Sequence, residues 1–581
     1  MGSPPPAIEF GPFRLDAGKR VLWRDDRIVP LPPKALDVLV ALVEEHGDVV
    51  TKETLLDRVW PDTFVEEANL SVNISTLRKM LGEADDGQSY IQTVPRRGYR
   101  FAAAHRPAPA ASTPTLAVLP FKALGGFEES DYLGLGMADA LITRLSRVSR
   151  LLVRSTSAVL KYASVALDAE AAGRELRVDA VLDGTIQRDA NRLRVTVRLV
   201  PLAPGVSPWA DTFEEEFTNI FAVQDAAAER VARALALRLA ESDVRLIGKR
   251  HTDDVEAYQA FLKGRYFWSR FTEDGIEKAF QYLQEAAEKD PNFALPHAGL
   301  ADAYLVLGFS GLVRPSEAWP AARAAAERAL ELDPELADAH VSLAYVKLFQ
   351  DWDWNGAGEL LERAVTLSPN SAAVHQWYAL YLDMQGRFAE AAREIERAGA
   401  LDPLSIVVHA MRVFQAYLAR DFETELRRAR QTVELDPNHF LGHWCLGLAC
   451  QHNGRIDEAV EAHRKAASLA HDDTLMKAVL ARSLALAGRR QEALRILGEL
   501  ETTLGYASPY QRATVELALG QRQAALGALE AATADRDPWV VWVGIDPMLD
   551  ELRAEPRLDA VVKRVFRGEV RRRNPAAAAP A

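Results

Sequence analysis

Between Ala68 and Leu81 the apolar residues Leu70, Ile74, Leu77 and Leu81 fall at i, i+4, i+7 and i+11. That spacing predicts a helix with one buried stripe. Its other face carries Ser71, Ser75, Thr76, Arg78 and Lys79, short hydrogen-bonding groups and cations suited to a DNA groove. The segment IQTVPRRGYRF that follows reads as strand, basic turn, strand, with Arg96, Arg97 and Arg100 around Gly98. Upstream, Ile8–Leu15 and Lys19–Arg24 alternate as strands on either side of a turn at Asp16-Ala17-Gly18. Pro32-Pro33 opens a helix whose face is Leu36, Val38, Leu39, Leu42 and Val43, ending at Gly47. Thr51 suits the N-cap of a short helix over Lys52–Val59, and Pro61 stops it.

Past a Pro/Ala-rich linker, Arg106–Pro114, the pattern becomes mixed α/β. Leu116–Phe121 reads as a buried strand, Met137–Val148 as a helix and Leu151–Arg154 as a short strand. Ala180–Arg188 and Arg192–Val200 pair around Asp189-Ala190-Asn191, and a helix follows over about 220–239. From Asp253 to Phe566 the chain repeats. Asp290-Pro291, Asp333-Pro334, Ser368-Pro369, Asp402-Pro403 and Asp436-Pro437 mark helix ends at spacings of 43, 35, 34 and 34, and Gly386, Gly454 and Gly488 keep the same beat. Helix, Gly turn, helix, Pro with a period near 34 is the tetratricopeptide pattern, here in about eight copies. The copy after Asp290 has an insertion, FSGLVRPSE, and the copy after Asp402 has Glu425 and Thr432 at positions that ordinarily take small residues.

The 581 residues, 48% apolar and 26% charged, describe several globular domains rather than one core. No apolar run is long enough for a membrane span, and MGSPPPAIEF lacks the pattern of a secretory leader. The two cysteines, Cys445 and Cys450, sit within one helical pattern, so a cytoplasmic setting without a disulfide framework is expected. The net charge of −13 looks unfavourable for nucleic acid, but phosphate affinity depends on local cations. Residues 1–67 hold 8 basic and 13 acidic side chains, whereas 68–105 hold five cations and three acids. The surplus is modest, so a single copy should bind weakly, and a homodimer or tandem sites are expected.

TKETLLDRVWP, STLRKMLGE and TVPRRGYRF, on strands, three helices and a hairpin, resemble the OmpR/PhoB-type winged helix-turn-helix over residues 8–104. The resemblance implies that the third helix enters the major groove and the wing touches the adjacent minor groove or backbone. Carried over by position, Ala68, Val72, Ser75, Thr76 and Lys79 face bases or phosphates, and Arg96, Arg97 and Arg100 belong to the wing. Family members often carry arginine where Ser75 and Thr76 stand, a departure that bears on target sequence and binding strength. LAVLPF, YLGLGMADALITRLSRV, AVLDGTIQRDANRLRVTVRLV and WADTFEEEFTNIFAVQDAAAERVA together look like the TolB amino-terminal-like domain, over residues 115–243. The tetratricopeptide resemblance, over residues 253–566, implies an α-solenoid with a protein or peptide in its concave groove. Residues 567–581 read as a disordered tail. Only seven residues precede the first strand, so control by aspartyl phosphorylation within this chain is not expected.

Other local features carry blander readings. Gly134-Leu135-Gly136 lies too far from the preceding strand to be a dinucleotide fingerprint and reads as a loop into a helix. His439, His443, Cys445, Cys450 and His452 cluster, but His297, His375 and His409 recur at the repeat position of His443, which argues for packing rather than a metal. Trp352 and Trp354 read as packing over a repeat turn. No catalytic constellation, cofactor or metal site is expected. The function expected is a one-component regulator binding double-stranded promoter DNA. The alternative is a tetratricopeptide scaffold or adaptor whose winged helix does not bind DNA, and a cyclase-like enzyme would rest only on the company the middle domain keeps.

Overall fold

The computed structural model describes residues 8–567 apart from 17–19, 25–26, 46–47, 62–64, 83–88, 96, 103–105, 108–113, 125–130, 147, 149–150, 164–167, 190–191, 203–207, 217–219, 235–250, 271–272, 471–472 and 503–505. The expectation for the tail 567–581 falls outside these residues beyond Arg567, as does most of the linker. The chain divides into two compact units, Met1–Thr113 and Pro114–Ala581.

In the first unit, strands β1 (Ile8–Phe10), β2 (Phe13–Asp16), β3 (Val21–Arg24) and β4 (Arg27–Ile28) form an antiparallel meander. Helix α1 (Pro33–Glu44) follows, then β5 (Val49–Thr51), α2 (Lys52–Val59), α3 (Glu67–Leu81), β6 (Ile91–Val94) and β7 (Gly98–Phe101). A second sheet has the order β5-β7-β6, and β8 (Arg106–Pro107) joins the first sheet beside β1. Thr51 caps α2 as expected: its Oγ1 accepts from the Thr54 amide at 3.1 Å. Leu70, Ile74, Leu77 and Leu81 are all buried, packed in one core with Val38, Leu39 and Leu42 of α1 and Leu55 and Val59 of α2. At about 1.5–3 kcal/mol for each fully buried aliphatic side chain, this stripe is what seats α3. Phe10, Phe13, Tyr90 and Phe101 join the two sheets, with Phe10 edge-on to Phe101 at 4.9 Å. The two-residue turn between β1 and β2 needs glycine at Gly11, whose φ is +51° and where any side chain would strike the Tyr90 hydroxyl.

The second unit begins with a mixed sheet. β9 (Thr115–Val118) lies between β11 (Leu152–Val153) and β12 (Ala180–Asp189), both parallel to it. β13 (Arg192–Pro201) and β14 (Trp209–Glu216) continue as an antiparallel meander, and β10 (Lys122–Leu124) pairs with β12. The strand expected over Leu116–Phe121 is thus shorter, ending at Val118, and β10 begins only after Phe121. β14 was not anticipated, because WADTFEEE offers only half-buried Trp209, Asp211 and Phe213 on its inner register. Helix α4 (Asp131–Leu145) starts six residues before the expected Met137, so Gly134 and Gly136 lie within it. Neither glycine borders a phosphate loop. A Cβ on Gly134 would run into the Phe121 carbonyl, and one on Gly136 would meet Leu262 Cδ1 at 2.7 Å.

Sixteen helices, from Val255–Arg270 to Arg522–Ala534, then form eight consecutive pairs among the described residues. The degenerate copy keeps Glu425 fully buried by placing its carboxylate 3.2 Å from His452 Nδ1, and Thr432 Oγ1 turns back onto the Arg428 carbonyl at 2.9 Å. His340, His375, His409 and His443 each set Nε2 2.8–3.1 Å from the carbonyl of the proline six residues earlier. The recurring histidine is therefore a polar clip across the repeat junction, not a packed aromatic. The middle domain is locked to the array at several places. Arg265 Nη2 meets Asp139 at 3.1 Å beside the contact of α4 with Val255–Arg270. Arg154, only 4% exposed, donates to the carbonyls of Leu176, Arg177, Ala400 and Leu401 at 2.7–3.0 Å.

The tetratricopeptide resemblance implies a protein or peptide in the concave groove of the array; in the structure, part of the wall formed by the first helices of the pairs is covered by residues of this same chain. The segment after the last pair, with 3-10 turns at Pro538–Trp542 and Pro547–Leu552 and a helix at Pro556–Val565, packs onto the first helices of several pairs at once. Trp539 lies 4.8 Å from Phe309 and edge-on to Trp444, and Trp542 is edge-on to Phe414 at 5.0 Å. Asp546 accepts hydrogen bonds from the hydroxyls of Tyr417 and Tyr510, the latter at 2.6 Å. Burial first, and then the Asp546 charge, push both phenols well above their ordinary range, so they act as neutral donors. Trp319 Nε1 donates to the Arg536 carbonyl at 3.1 Å. Trp354 Nε1 donates to the Val565 carbonyl at 3.0 Å, and its ring stacks on Phe566 at 4.8 Å. The packing role expected of Trp352 and Trp354 stands on these contacts: Trp352 is buried with the Arg536 guanidinium 3.5 Å above its ring.

Removing that anchor should be costly. Trp354→Ala is expected to destabilise the second unit by about 3–5 kcal/mol, read as a lower urea midpoint. Leu486→Ala, at a position 40% exposed, is expected to shift it by no more than about 0.5 kcal/mol.

Candidate nucleic-acid interface

Helix α3 is the only element of the first unit with a full-length polar face backed by a continuous apolar one among the described residues. Fifteen residues at 1.5 Å rise make it about 22 Å long, enough to lie along a major groove. Ala68, Ser71, Val72, Ser75 and Lys79 are exposed and Thr76 is half-buried, all on the side away from the leucine stripe. Val72 is 63% exposed, the most exposed large apolar side chain described. Ser71 Oγ donates to the Glu67 carbonyl at 3.1 Å and Thr76 Oγ1 to the Val72 carbonyl at 2.9 Å, so each hydroxyl has its proton engaged on its own helix and its oxygen left to accept from an outside donor. At the start of α3, Glu67 pairs with Lys52 of α2 at 2.6 Å and holds that ammonium above its ordinary range through the hydrogen bond between them.

The basic residues divide into two kinds. Arg78 Nε donates to the Ile91 carbonyl at 2.9 Å and Arg78 Nη2 to Thr93 Oγ1 at 2.8 Å. Both bonds tie α3 to β6, the first strand of the wing. Arg97 is exposed at the turn; its amide donates to the Val94 carbonyl at 3.0 Å, and its guanidinium makes no hydrogen bond or ion pair with another described residue. Arg100 is exposed on β7 and donates to Gln92 Oε1 at 2.6 Å across the hairpin. Arg96 lies outside the described residues. Gly98 closes the turn with its Cα against the Val50 carbonyl, where a side chain has no room. Gln92 and Thr93 were not singled out from the sequence, though they orient two of the arginines. The signal was present: Arg78 is i+4 from Ile74 and i+8 from Leu70, at the border of the buried stripe rather than in the middle of the polar face.

The other clusters weighed from the sequence resolve as packing. Cys445 and Cys450 are buried free thiols, pushed by burial up to about 12 and about 11 respectively. No group of three or more His, Cys, Asp or Glu side chains suited to a metal occurs among the described residues. No described helix is long and apolar enough to cross a membrane.

Comparison with known proteins agrees with this geometry. Residues 26–101 match the family described as transcriptional regulatory protein, C terminal, and residues 111–204 match the HilA/YgeH-like transcriptional regulator, second domain. The transcriptional regulator HilA of Salmonella typhimurium is 26% identical over 426 residues, covering 70% of this chain and 72% of that protein. A putative adenylate cyclase 3 of Rhizobium meliloti is 32% identical over 199 residues, 34% of each chain. Among solved structures, the DNA-binding domain of E. coli CadC covers 18% of this chain and all of its own at 25% identity, with a TM-score of 0.17. The chain therefore carries an OmpR/PhoB-type winged helix of the kind found in transcriptional regulators, and is similar to one such regulator over most of its length.

The two kinds of arginine should separate in stability. Arg78→Ala is expected to cost the unit formed by residues 1–113 about 1–3 kcal/mol, because two hydrogen bonds from a charged donor, to the Ile91 carbonyl and to Thr93, are lost together. Arg97→Ala should change it by less than about 0.5 kcal/mol. Thermal unfolding of the two variants beside wild type distinguishes them.

Proposed function

We propose that this protein is a one-component, cytoplasmic transcriptional regulator that reads promoter DNA with α3 and grips phosphates with the wing. The observation that carries the reading is the exposed face of α3 beside a hairpin with exposed Arg97 and Arg100. In this reading Ala68, Val72, Ser75 and Thr76 meet base edges, and the Val72 side chain suits a thymine methyl. Ser71, Lys79, Arg96, Arg97 and Arg100 meet phosphates, which fix register without carrying sequence information. Arg78 is assigned a different task from the one expected of it: it holds the wing at a set distance from α3. So few phosphate contacts support binding as two copies on adjacent half-sites. Two buried, unpaired thiols support a reducing compartment.

The second unit is proposed to receive the signal. Because residues of its own chain occupy the inner face of the array, a protein partner would use the outer surface of the repeats. The segment shared with a putative cyclase lies within a chain that matches a transcriptional-regulator family and, over most of its length, a transcriptional regulator, and no enzymatic activity is proposed.

A mobility-shift titration on the protein's own upstream DNA, run as a salt series, tests the reading. Arg97→Ala should flatten the log–log salt slope by about one unit. Thr76→Ala should leave the slope and change the preference among operator variants. If both variants bind like wild type, or if wild type fails to bind at low salt, the reading is wrong and the adaptor alternative takes its place.

A further inference from the structure

The array closes on itself where the insertion FSGLVRPSE meets its far end. The Tyr506 amide donates to the Gly311 carbonyl at 3.2 Å, and Thr474 Oγ1 donates to the Tyr506 carbonyl at 3.3 Å. Gly311 is in the left-handed region at φ +79°, and a Cβ there would press on the Tyr506 carbonyl at 2.9 Å. Beneath this closure lies a cavity of about 540 Å³, within the size range of small-molecule sites. Phe309, Leu475, Leu497, Leu500, Tyr506 and Trp539 give it apolar walls.

Its charges are unbalanced. Glu501, Glu516 and Asp535 line it against Arg314 and Arg512. Arg512 serves both glutamates, with Nη1 3.2 Å from Glu501 and Nε 2.8 Å from Glu516 Oε1. Glu516 is only 2% exposed, and its second oxygen, Oε2, has no hydrogen-bond partner. A buried carboxylate oxygen left without a donor is expensive, and the group that best relieves it is an N–H carrying positive charge.

We propose that this cavity binds a small organic cation, an amine or amidine on an apolar body, with its N–H donating to Glu516. The inference rests on the regulator reading and supplies its signal: a ligand here touches the insertion and the last repeats together, and so braces the closure.

The test is calorimetric titration of the full chain with phenethylamine and, as its neutral counterpart, 2-phenylethanol. Phenethylamine should bind at one site, at least about tenfold more tightly than the alcohol. Glu516→Gln should erase that preference. Ala531→Leu, which adds bulk at an exposed position of the cavity wall, should block both probes, and it decides the matter if Glu516→Gln does not fold. Equal binding of the two probes, no binding of either, or variants that bind as wild type does would overturn the proposal. Mobility shifts with the same full-length proteins separate the two readings: retained DNA binding without amine binding removes only the ligand site, whereas lost DNA binding in wild type removes the regulator reading.

Discussion

A curved stack of helix pairs must cover the apolar wall on its inner side, and the rest of the second unit follows from how this chain meets that requirement. In many solenoids the wall is left for a visitor. Here Phe309, Phe414, Trp444, Tyr417 and Tyr510 face residues 538–566 of the same chain. The carboxylate that enters with that segment, Asp546, is satisfied by two phenols and the Met548 amide, so its charge is not stranded inside. With that part of the wall covered internally, the cavity under the closure and the outer faces of the repeats are where ligand and partner are proposed to bind.

A different constraint governs the first unit. Its charges are spread unevenly, and Arg78, Lys79, Arg97 and Arg100 stand on one helix and one hairpin. Keeping those two elements in register requires a rigid link, and Arg78 supplies it with two hydrogen bonds across the gap between α3 and β6. One arginine therefore gives up its own reach so that Lys79, Arg97 and Arg100 keep theirs in a common orientation.

Much of this was legible in the residues. The stripe Leu70, Ile74, Leu77, Leu81 gave α3 to within one residue, Thr51 the start of α2, and the Asp-Pro and Gly beat the paired helices. What escaped depended on distant partners. α4 begins early because Gly134 and Gly136 fit against Phe121 and Leu262, which periodicity does not register. β14 hides because an edge strand needs few apolar residues. The task of Arg78 depends on a carbonyl thirteen residues on. The covered inner wall was least visible of all, since DPWVVWVGIDPMLDEL has no repeat period and reads as leftover chain unless its tryptophans are matched to aromatic partners far upstream.

Those pairings carry a consequence for how the chain comes to be made. Trp319 and Trp354 are joined to Arg536 and Val565, 217 and 211 residues later. An ordinary solenoid grows from a nucleus by adding neighbours, and early copies can settle while later ones are still on the ribosome. This one cannot finish its second and third pairs until residues 536–565 have emerged. A nascent chain stalled or clipped before that segment would present a row of bare aromatic rings to the quality-control machinery of the cell.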